Sequence, residues 1–600
     1  MAFLDSSLSR RIFLAATAGV AGAAACSNYA SASPKKNETP WVKSAIGRMT
    51  EDQKIGQLFI QEVYGSTADG PDRRNLPQYG YEKPSDVVSK LHLGGVIYFA
   101  WTDSYGPTGT TMDPVQVAKL SNGLQRAAIT ASGKSEVPLQ IATDQEMGVV
   151  TRFGAPATQF PGSMALGAGR SVADAKQAAD ITGKELRAVG INVNFAPDSD
   201  VNVNPLNPVI GVRSFSSNPE LVAAMAGAQV TGYQEGGRVS SSTKHFPGHG
   251  DTATDSHYGL PVIDHSREEW ETIDAPPFRA AIAAGVDMVM TAHLLMPAFD
   301  DSGDPATLSK KILTGLLREE LGYNGVVVTD ALTMAGVREK YGDDEVAVRA
   351  LEAGCDQLLM APKPLEAMAA IKQAIAGGRL TWEQIDQKLE RILRLKYRRG
   401  FVHQPYADEA AVPAYVGNAE HKAIADAISD RTVTLVTNDG ILPLAAGKKV
   451  FVTGWGVSTT ALVSAQLTSA GHPSTHLQTG TQPSATTIAS AVTQSADAEV
   501  IVVLTNNLRF GNNARQQTLI AELRNTGKPV IVVAMRDPYD LPYVEANAKV
   551  ATYSYSPVTP GSLVRVLTGA VNPSGKLPVD LPARDDVTTI VYPYGLGLTY

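Results

Sequence analysis

Between residues 41 and 400 the chain alternates short β-rich runs with longer amphipathic stretches, and no other feature restricts its fold as much. Eight runs read as strands: 55–61, 95–99, 139–143, 191–195, 239–244, 288–292, 325–329 and 355–360. Between them, stretches such as 173–189, 218–236 and 310–321 carry apolar residues at helical spacing. Strands separated by helices pair in parallel, and eight such units fit a closed (β/α)8 barrel of the TIM type with long loops. An open doubly wound sheet is the alternative that counting units alone leaves standing.

A basic helix ends at Lys396–Arg399, and the turn-forming residues from Gly400 to Pro413 follow it. A second α/β pattern begins after them, with strand-like runs at 432–437, 449–453, 499–505, 529–534 and 550–555. The expected organisation is a barrel over 41–400, a linker over 401–415 and a smaller α/β/α sandwich domain over 416–600.

The amino terminus reads differently. Ser9-Arg10-Arg11-Ile12-Phe13-Leu14 opens an apolar run to Ala25, too short to span about 30 Å of hydrocarbon as a helix. The arginine pair resembles a twin-arginine export signal, and Ala23-Ala24-Ala25-Cys26 resembles a lipidation site at Cys26. Residues 1–26 are therefore expected to be a signal peptide and 27–40 a polar tether. The expected location is outside the cytoplasm, as a cell-envelope lipoprotein or a secreted protein, touching membrane only through that lipid. With 52 basic and 60 acidic residues the net charge is −8, which carries no footprint for nucleic acid. Two cysteines, one of them in the signal, exclude a disulfide framework.

A barrel places its chemistry on the loops that leave the carboxyl ends of its strands. Asp144 and Glu146 follow the third run, Asp198 and Asp200 the fourth, Lys244 and His245 close the fifth, His293 follows the sixth and Asp330 the seventh. A single Asp after a strand often caps the next helix. Helix capping gives no reason for Lys and His to gather on the same face, so this face is the candidate active site.

The densest segment runs from Lys244 to His257 (KHFPGHGDTATDSH) and holds three of the ten histidines. Pro247, Gly248 and Gly250 favour a loop. Asp255 and His257 stand two apart, so in an extended segment both side chains project to one side and a carboxylate reaches an imidazole nitrogen. That contact fixes the ring's tautomer and readies it as a general acid. His245, His249, Asp251 and His257 are also ligand-type residues, but His-x3-His faces one way only on a helix, which Pro-Gly breaks; no metal is expected.

These residues resemble the β-N-acetylhexosaminidases of glycoside hydrolase family 3, which release terminal N-acetylglucosamine from cell-wall and chitin fragments. Four segments carry the resemblance in the barrel: Thr143-Asp144-Gln145-Glu146 with Arg152, Asn194 to Phe215, Lys244 to His257, and Val328-Thr329-Asp330-Ala331-Leu332. Thr432 to Leu444 and Tyr594 to Tyr600 resemble the family's carboxyl-terminal domain. Met147 departs from the pattern, which usually has glycine there.

The resemblance implies that Asp330 is the nucleophile and His257 the acid/base, oriented by Asp255, while Asp144, Arg152, Arg213, Lys244 and His245 bind the sugar. It implies a retaining exo-β-N-acetylglucosaminidase that acts on peptidoglycan fragments or chitooligosaccharides and needs no cofactor. A histidine lacks the negative charge that a glutamate base would turn toward phosphate, so a phosphorylase releasing sugar 1-phosphate is the alternative. A non-catalytic sugar-binding lipoprotein is the other, and it leaves Asp330 and the Asp255–His257 pair unexplained. Arg509, Asn512, Asn513 and Arg515 read equally well as a solvated loop or a ligand contact.

Overall fold

The computed structural model describes residues 38–600, apart from 108–109, 237, 339, 457–458 and 510. Eight parallel strands form the first sheet: β1 (Phe59–Glu62), β2 (Gly95–Ile97), β3 (Gln140–Thr143), β4 (Val193–Asn194), β5 (Ser240–Phe246), β6 (Met288–Thr291), β7 (Val326–Val328) and β8 (Leu358–Leu359). Each pairs with the next from β1 to β7, and β1 pairs with β8. A parallel bridge between Val328 and Gln357, with the Thr329 N–H donating to the Gln357 carbonyl at 3.1 Å, joins β7 to β8 and closes the ring. The fold is the barrel expected from the alternation, not an open sheet. Inside it, the Gln140 and Gln357 amides bond each other at 2.7 Å, so these two buried polar side chains satisfy one another.

Some boundaries shift for local reasons. Ile55 and Gly56, expected at the start of the first strand, end the helix Glu51–Gly56 instead. Thr50 caps that helix by accepting the Gln53 N–H at 3.2 Å, and Gln53 reaches back to the Thr50 N–H at 2.9 Å. The stretch 310–321 becomes a wide helix over Lys311–Glu320, in which the Leu321 N–H donates five residues back to Leu316. The end of the expected tether is ordered as well. Helix Glu38–Arg48 starts within it, and buried Glu38 pairs with Arg398 at 3.0 Å. The signal peptide and Cys26 lie outside the described residues. No helix among the described residues is long and apolar enough to cross a membrane.

Residues 401–415 run along the barrel: the Asn122 side chain donates to the Ala407 carbonyl at 3.0 Å, and Val412 and Val416 join the barrel's core. The second sheet contains β9 (Thr434–Asn438), β10 (Val450–Gly454), β11 (Ser474–Gln478), β12 (Val500–Thr505), β13 (Val530–Ala534) and β14 (Ala548–Ala551). Its order is β11-β10-β12-β13-β14-β9, with only β9 antiparallel to its neighbour. Alternate residues of β12 face opposite ways: Ile501 and Val503 pack with Leu519 and Leu523, whereas Val500, Val502 and Leu504 pack with Val463 and Leu563. Helices therefore cover both faces, which is the expected sandwich. Strand β11 is absent from the sequence pattern because Ser-Thr-His-Leu-Gln is an edge strand whose side chains are largely exposed and show no apolar alternation.

Candidate active site

The strand exits converge into one charged network. Lys244, near the end of β5, places its ammonium 2.9 Å from Asp144 and 2.6 Å from Glu146, both just past β3. Arg213 meets the same Glu146 as a fork, Nε and Nη2 each 2.9 Å from one carboxylate oxygen. Its Nη2 also lies 3.2 Å from His245 Nε2 and 3.6 Å from Asp198. The other His245 nitrogen, Nδ1, is 2.7 Å from Asp200, whose second oxygen accepts the His249 N–H at 2.7 Å.

Burial alone would raise the Glu146 carboxyl, but Arg213 and Lys244 outweigh it and hold Glu146 below the usual carboxylate range. For Lys244 the balance runs the other way. Burial alone would lower it, and Asp144 and Glu146 raise it. Asp198 is pushed well up by burial and by neighbouring Asp200.

Asp330 stands two residues beyond β7 and accepts the Ala331 N–H at 2.7 Å. Burial tends to raise its carboxyl, yet the result is a lowering, driven by His245 and His293, the Ala331 amide and Lys244. His293, behind it, lies 3.1 Å from the Ala331 carbonyl and 2.8 Å from Thr307. Burial lowers the His293 imidazole, which feels both Asp330 and His257.

His257 and Asp255 are joined as expected, with Nδ1 2.7 Å from Oδ1, but in a turn instead of an extended segment. The Asp255 carbonyl accepts the Tyr258 and Gly259 N–H groups, and its carboxylate accepts the His257 N–H at 2.9 Å. The carboxylate therefore folds back onto its own chain, an Asx turn, and meets the ring there. The His257 side chain is 55% exposed and so is open to solvent. The same loop rests on the segment that follows Asp330, since the Gly336 N–H donates to the Ser256 carbonyl at 3.3 Å. A Cβ at Gly336 would come within 2.9 Å of the Gly259 carbonyl and 3.0 Å of that of Ser256.

Arg152 stands outside the charged network. Its guanidinium lies over the rings of Phe99 and Trp101, at 5.4 and 5.3 Å, and the Arg152 backbone N–H donates to the Gln145 side-chain oxygen. The ligand-type residues 245, 249, 251 and 257 do not converge: His249 turns to Ser256, Asp251 to His265, and His257 to Asp255. Among the described residues the group that converges is Asp198, Asp200 and His245, with ligand atoms within 4.8 Å of one another, and there the Arg213 guanidinium supplies positive charge.

Two family models cover most of the chain: Glycosyl hydrolase family 3 N terminal domain over residues 50–395 and Glycosyl hydrolase family 3 C-terminal domain over 433–600. The chain belongs to glycosyl hydrolase family 3. A solved family 3 β-N-acetylglucosaminidase from Paenibacillus sp. str. FPU-7 is 38% identical with a TM-score of 0.80, covering 89% of this chain and 99% of that one. The Beta-N-acetylglucosaminidase/beta-glucosidase of Cellulomonas fimi is 31% identical over 90% of this chain and 95% of its own length. Beta-hexosaminidase A of Pseudoalteromonas piscicida is 41% identical over 385 residues, 60% of this chain and 62% of that relative's length.

Within this family 3 site, sequence reasoning assigns no binding role to Glu146, Asp200 or His293. Their positions at strand exits are visible, but their importance lies in which cation each one meets. Met147 takes φ +72°, the left-handed conformation that glycine adopts freely, and Gly148 follows at φ +67°. The loop keeps the glycine-like turn despite the larger residue, whose side chain is buried among Phe160, Val201 and Phe215.

Proposed function

We propose that this family 3 member is a retaining exo-β-N-acetylglucosaminidase in which Asp330 is the nucleophile and His257, oriented by Asp255, the acid/base. The observation that carries this reading is the arrangement at the barrel mouth: a buried carboxyl lowered by His245, His293, the Ala331 amide and Lys244, with the His–Asp pair on a loop hydrogen-bonded to the segment that follows it. The names of the Paenibacillus and Cellulomonas relatives support the sugar.

In the first step His257 gives its proton to the glycosidic oxygen while Asp330 attacks the anomeric carbon. The glycosidic bond breaks and a glycosyl ester forms on Asp330. Neutral His257 then takes a proton from water as that water displaces the ester, and the β configuration is retained. Asp144, Lys244, Arg213, His245 and Arg152 are assigned to the sugar, whose hydroxyls meet charged donors and acceptors, the first four fixed by the network and Arg152 by its place over Phe99 and Trp101.

Trapping with a slow fluorinated sugar, followed by peptide mapping, tests the assignment. The label is expected on Asp330, and attachment to any other residue overturns it. Because the base is an imidazole, phosphate is a second candidate acceptor, and turnover with and without phosphate separates free N-acetylglucosamine from sugar 1-phosphate. The Arg10-Arg11 signal and Cys26 place this activity in our proposal at the cell envelope or outside the cell, on peptidoglycan or chitin fragments. Comparing kcat/KM for muropeptides and chitobiose distinguishes the two substrates.

A further inference from the structure

The fork that Arg213 makes on Glu146 is built from two loops, and both are anchored outside the barrel. Arg213 ends the single tight turn Gly211–Arg213, and its neighbour Val212 is buried in the apolar core of the second domain with Tyr539, Leu541 and Leu577. Val149, three residues beyond Glu146, packs against the same core. The Glu146 N–H donates to the Val150 carbonyl at 3.1 Å, so the position of Val149 is transmitted to Glu146 through a short closed loop.

A polar chain runs parallel to this apolar one. Tyr539 accepts a hydrogen bond at 2.9 Å from the Asn202 side-chain amide. The Asn202 side-chain carbonyl accepts the N–H of Gly211, the first residue of the Arg213 turn, at 3.1 Å. Tyr539 is itself held on the second domain. The Arg509 guanidinium lies 4.3 Å from its ring centroid and pairs with Asp537 at 3.1 Å, and Asp537 accepts the Tyr539 N–H. At the far end of the loop the Ser217 N–H donates to the Pro578 carbonyl at 3.1 Å. Arg509, whose sequence context suits solvent and ligand equally, is thereby engaged with Tyr539.

We infer that the second domain is a positioning element for the barrel's sugar site, and that Tyr539 is a positioning residue acting through Asn202 and the Gly211–Arg213 turn on the Arg213–Glu146 fork. Arg213 is nearly all buried and its side chain ends at four groups, Glu146, His245, Asp198 and the Val209 carbonyl. A small rotation of its turn therefore changes the orientation of Glu146 and, through Glu146, of Lys244. Such preorganisation affects how well the site matches the sugar without adding any contact to it. The effect on catalysis rests on the function proposed above, whereas the mechanical coupling does not.

The test uses the full chain. Tyr539→Phe keeps the ring and removes only the oxygen that Asn202 meets. Amide hydrogen exchange over residues 202–216, which requires no substrate, is expected to quicken at least about fivefold at Gly211 and Arg213 while the global melting temperature holds. With aryl N-acetylglucosaminide, KM is expected to rise about threefold to tenfold with kcat changed less than about twofold. In an Arg213→Lys background the same substitution is expected to add less than about twofold, because both changes act through one side chain. Val212→Ala, which loosens the apolar anchor, is expected to repeat the pattern and serves if Tyr539→Phe fails to fold. Unchanged exchange in both variants, or multiplicative effects in the double variant, overturns the positioning role. Absence of turnover by the wild-type chain sinks the proposed function instead, and leaves exchange to decide the coupling.

Discussion

Arg213 grips both oxygens of Glu146 at 2.9 Å, and Glu146 joins that guanidinium to the Lys244 ammonium. One buried carboxylate is therefore shared by two buried cations, with Asp144 and Asp198 at the edges. The arrangement keeps three charged side chains in a single geometry before any sugar arrives.

Glu146→Gln is expected to cost about 3–5 kcal/mol of stability, because it leaves a buried cation pair short of charge. Denaturant titration of both proteins measures it. Glu146 is held below its ordinary range, so its contribution is present above about pH 4.3 and is lost as pH falls through the lower folded value. The gap between the two proteins should accordingly narrow only in strong acid; a gap that closes at neutral pH contradicts the assignment.

Asp330→Asn is expected to reduce kcat by about 10⁴-fold with little change in melting temperature. A carboxylate that attacks carbon has no neutral substitute, whereas the hydrogen bond it accepts from the neighbouring Ala331 N–H can be kept by an amide oxygen. Residual activity within tenfold of wild type would remove Asp330 from the nucleophile's role.

The acid limb of the kcat/KM profile should lie below the ordinary aspartate value of about 3.9. Asp330 must be ionised to attack, and its cationic surroundings keep it ionised as pH falls. Conservative removal of one of those charges, as in Lys244→Met, should move that limb upward.

His257→Ala is expected to slow substrates with poor leaving groups by about 10²–10⁴-fold, and activated aryl glycosides far less. An activated leaving group departs without a proton. Equal losses across a leaving-group series would argue against proton donation by His257.

His265 joins the Lys244–His257 loop to Asp274, which precedes the helix Ala275–Ala283: Nε2 is 3.0 Å from Asp251 and Nδ1 2.6 Å from Asp274. Hydrogen bonds to Asp251 and Asp274 push the imidazole up to about 10. Its raised value means that above about pH 6.5, where the Asp274 carboxyl, pushed up to about 6 by burial, is ionised, the stabilisation fades and is gone once pH passes about 10. The melting-temperature difference between wild type and His265→Asn should follow that course, and a difference that grows with rising pH would refute it.

Much of the site is legible in the sequence because strand exits are marked by local signals. Asp144, Lys244, His245 and Asp330 all follow or close recognisable strands, and a barrel brings such positions to one rim. The Asp255–His257 contact is legible from spacing, although the turn that makes it is not, since an Asx turn and an extended strand both suit a two-residue separation. Arg152, expected among the sugar-binding groups, lies over Phe99 and Trp101, a placement decided by aromatic residues far earlier in the chain.

Periodicity and turn residues, read along the chain, determined the eight alternating units, the smaller sandwich domain and the residue types available at the rim, because each depends on neighbours within a few positions. Tertiary structure alone decided that Glu146 would be shared by Lys244 and Arg213 and that Tyr539, in the other domain, would brace the turn that carries Arg213. Those pairings depend on where barrel closure and domain docking place distant loops, and electrostatic and packing contacts between them leave no periodic trace in the sequence.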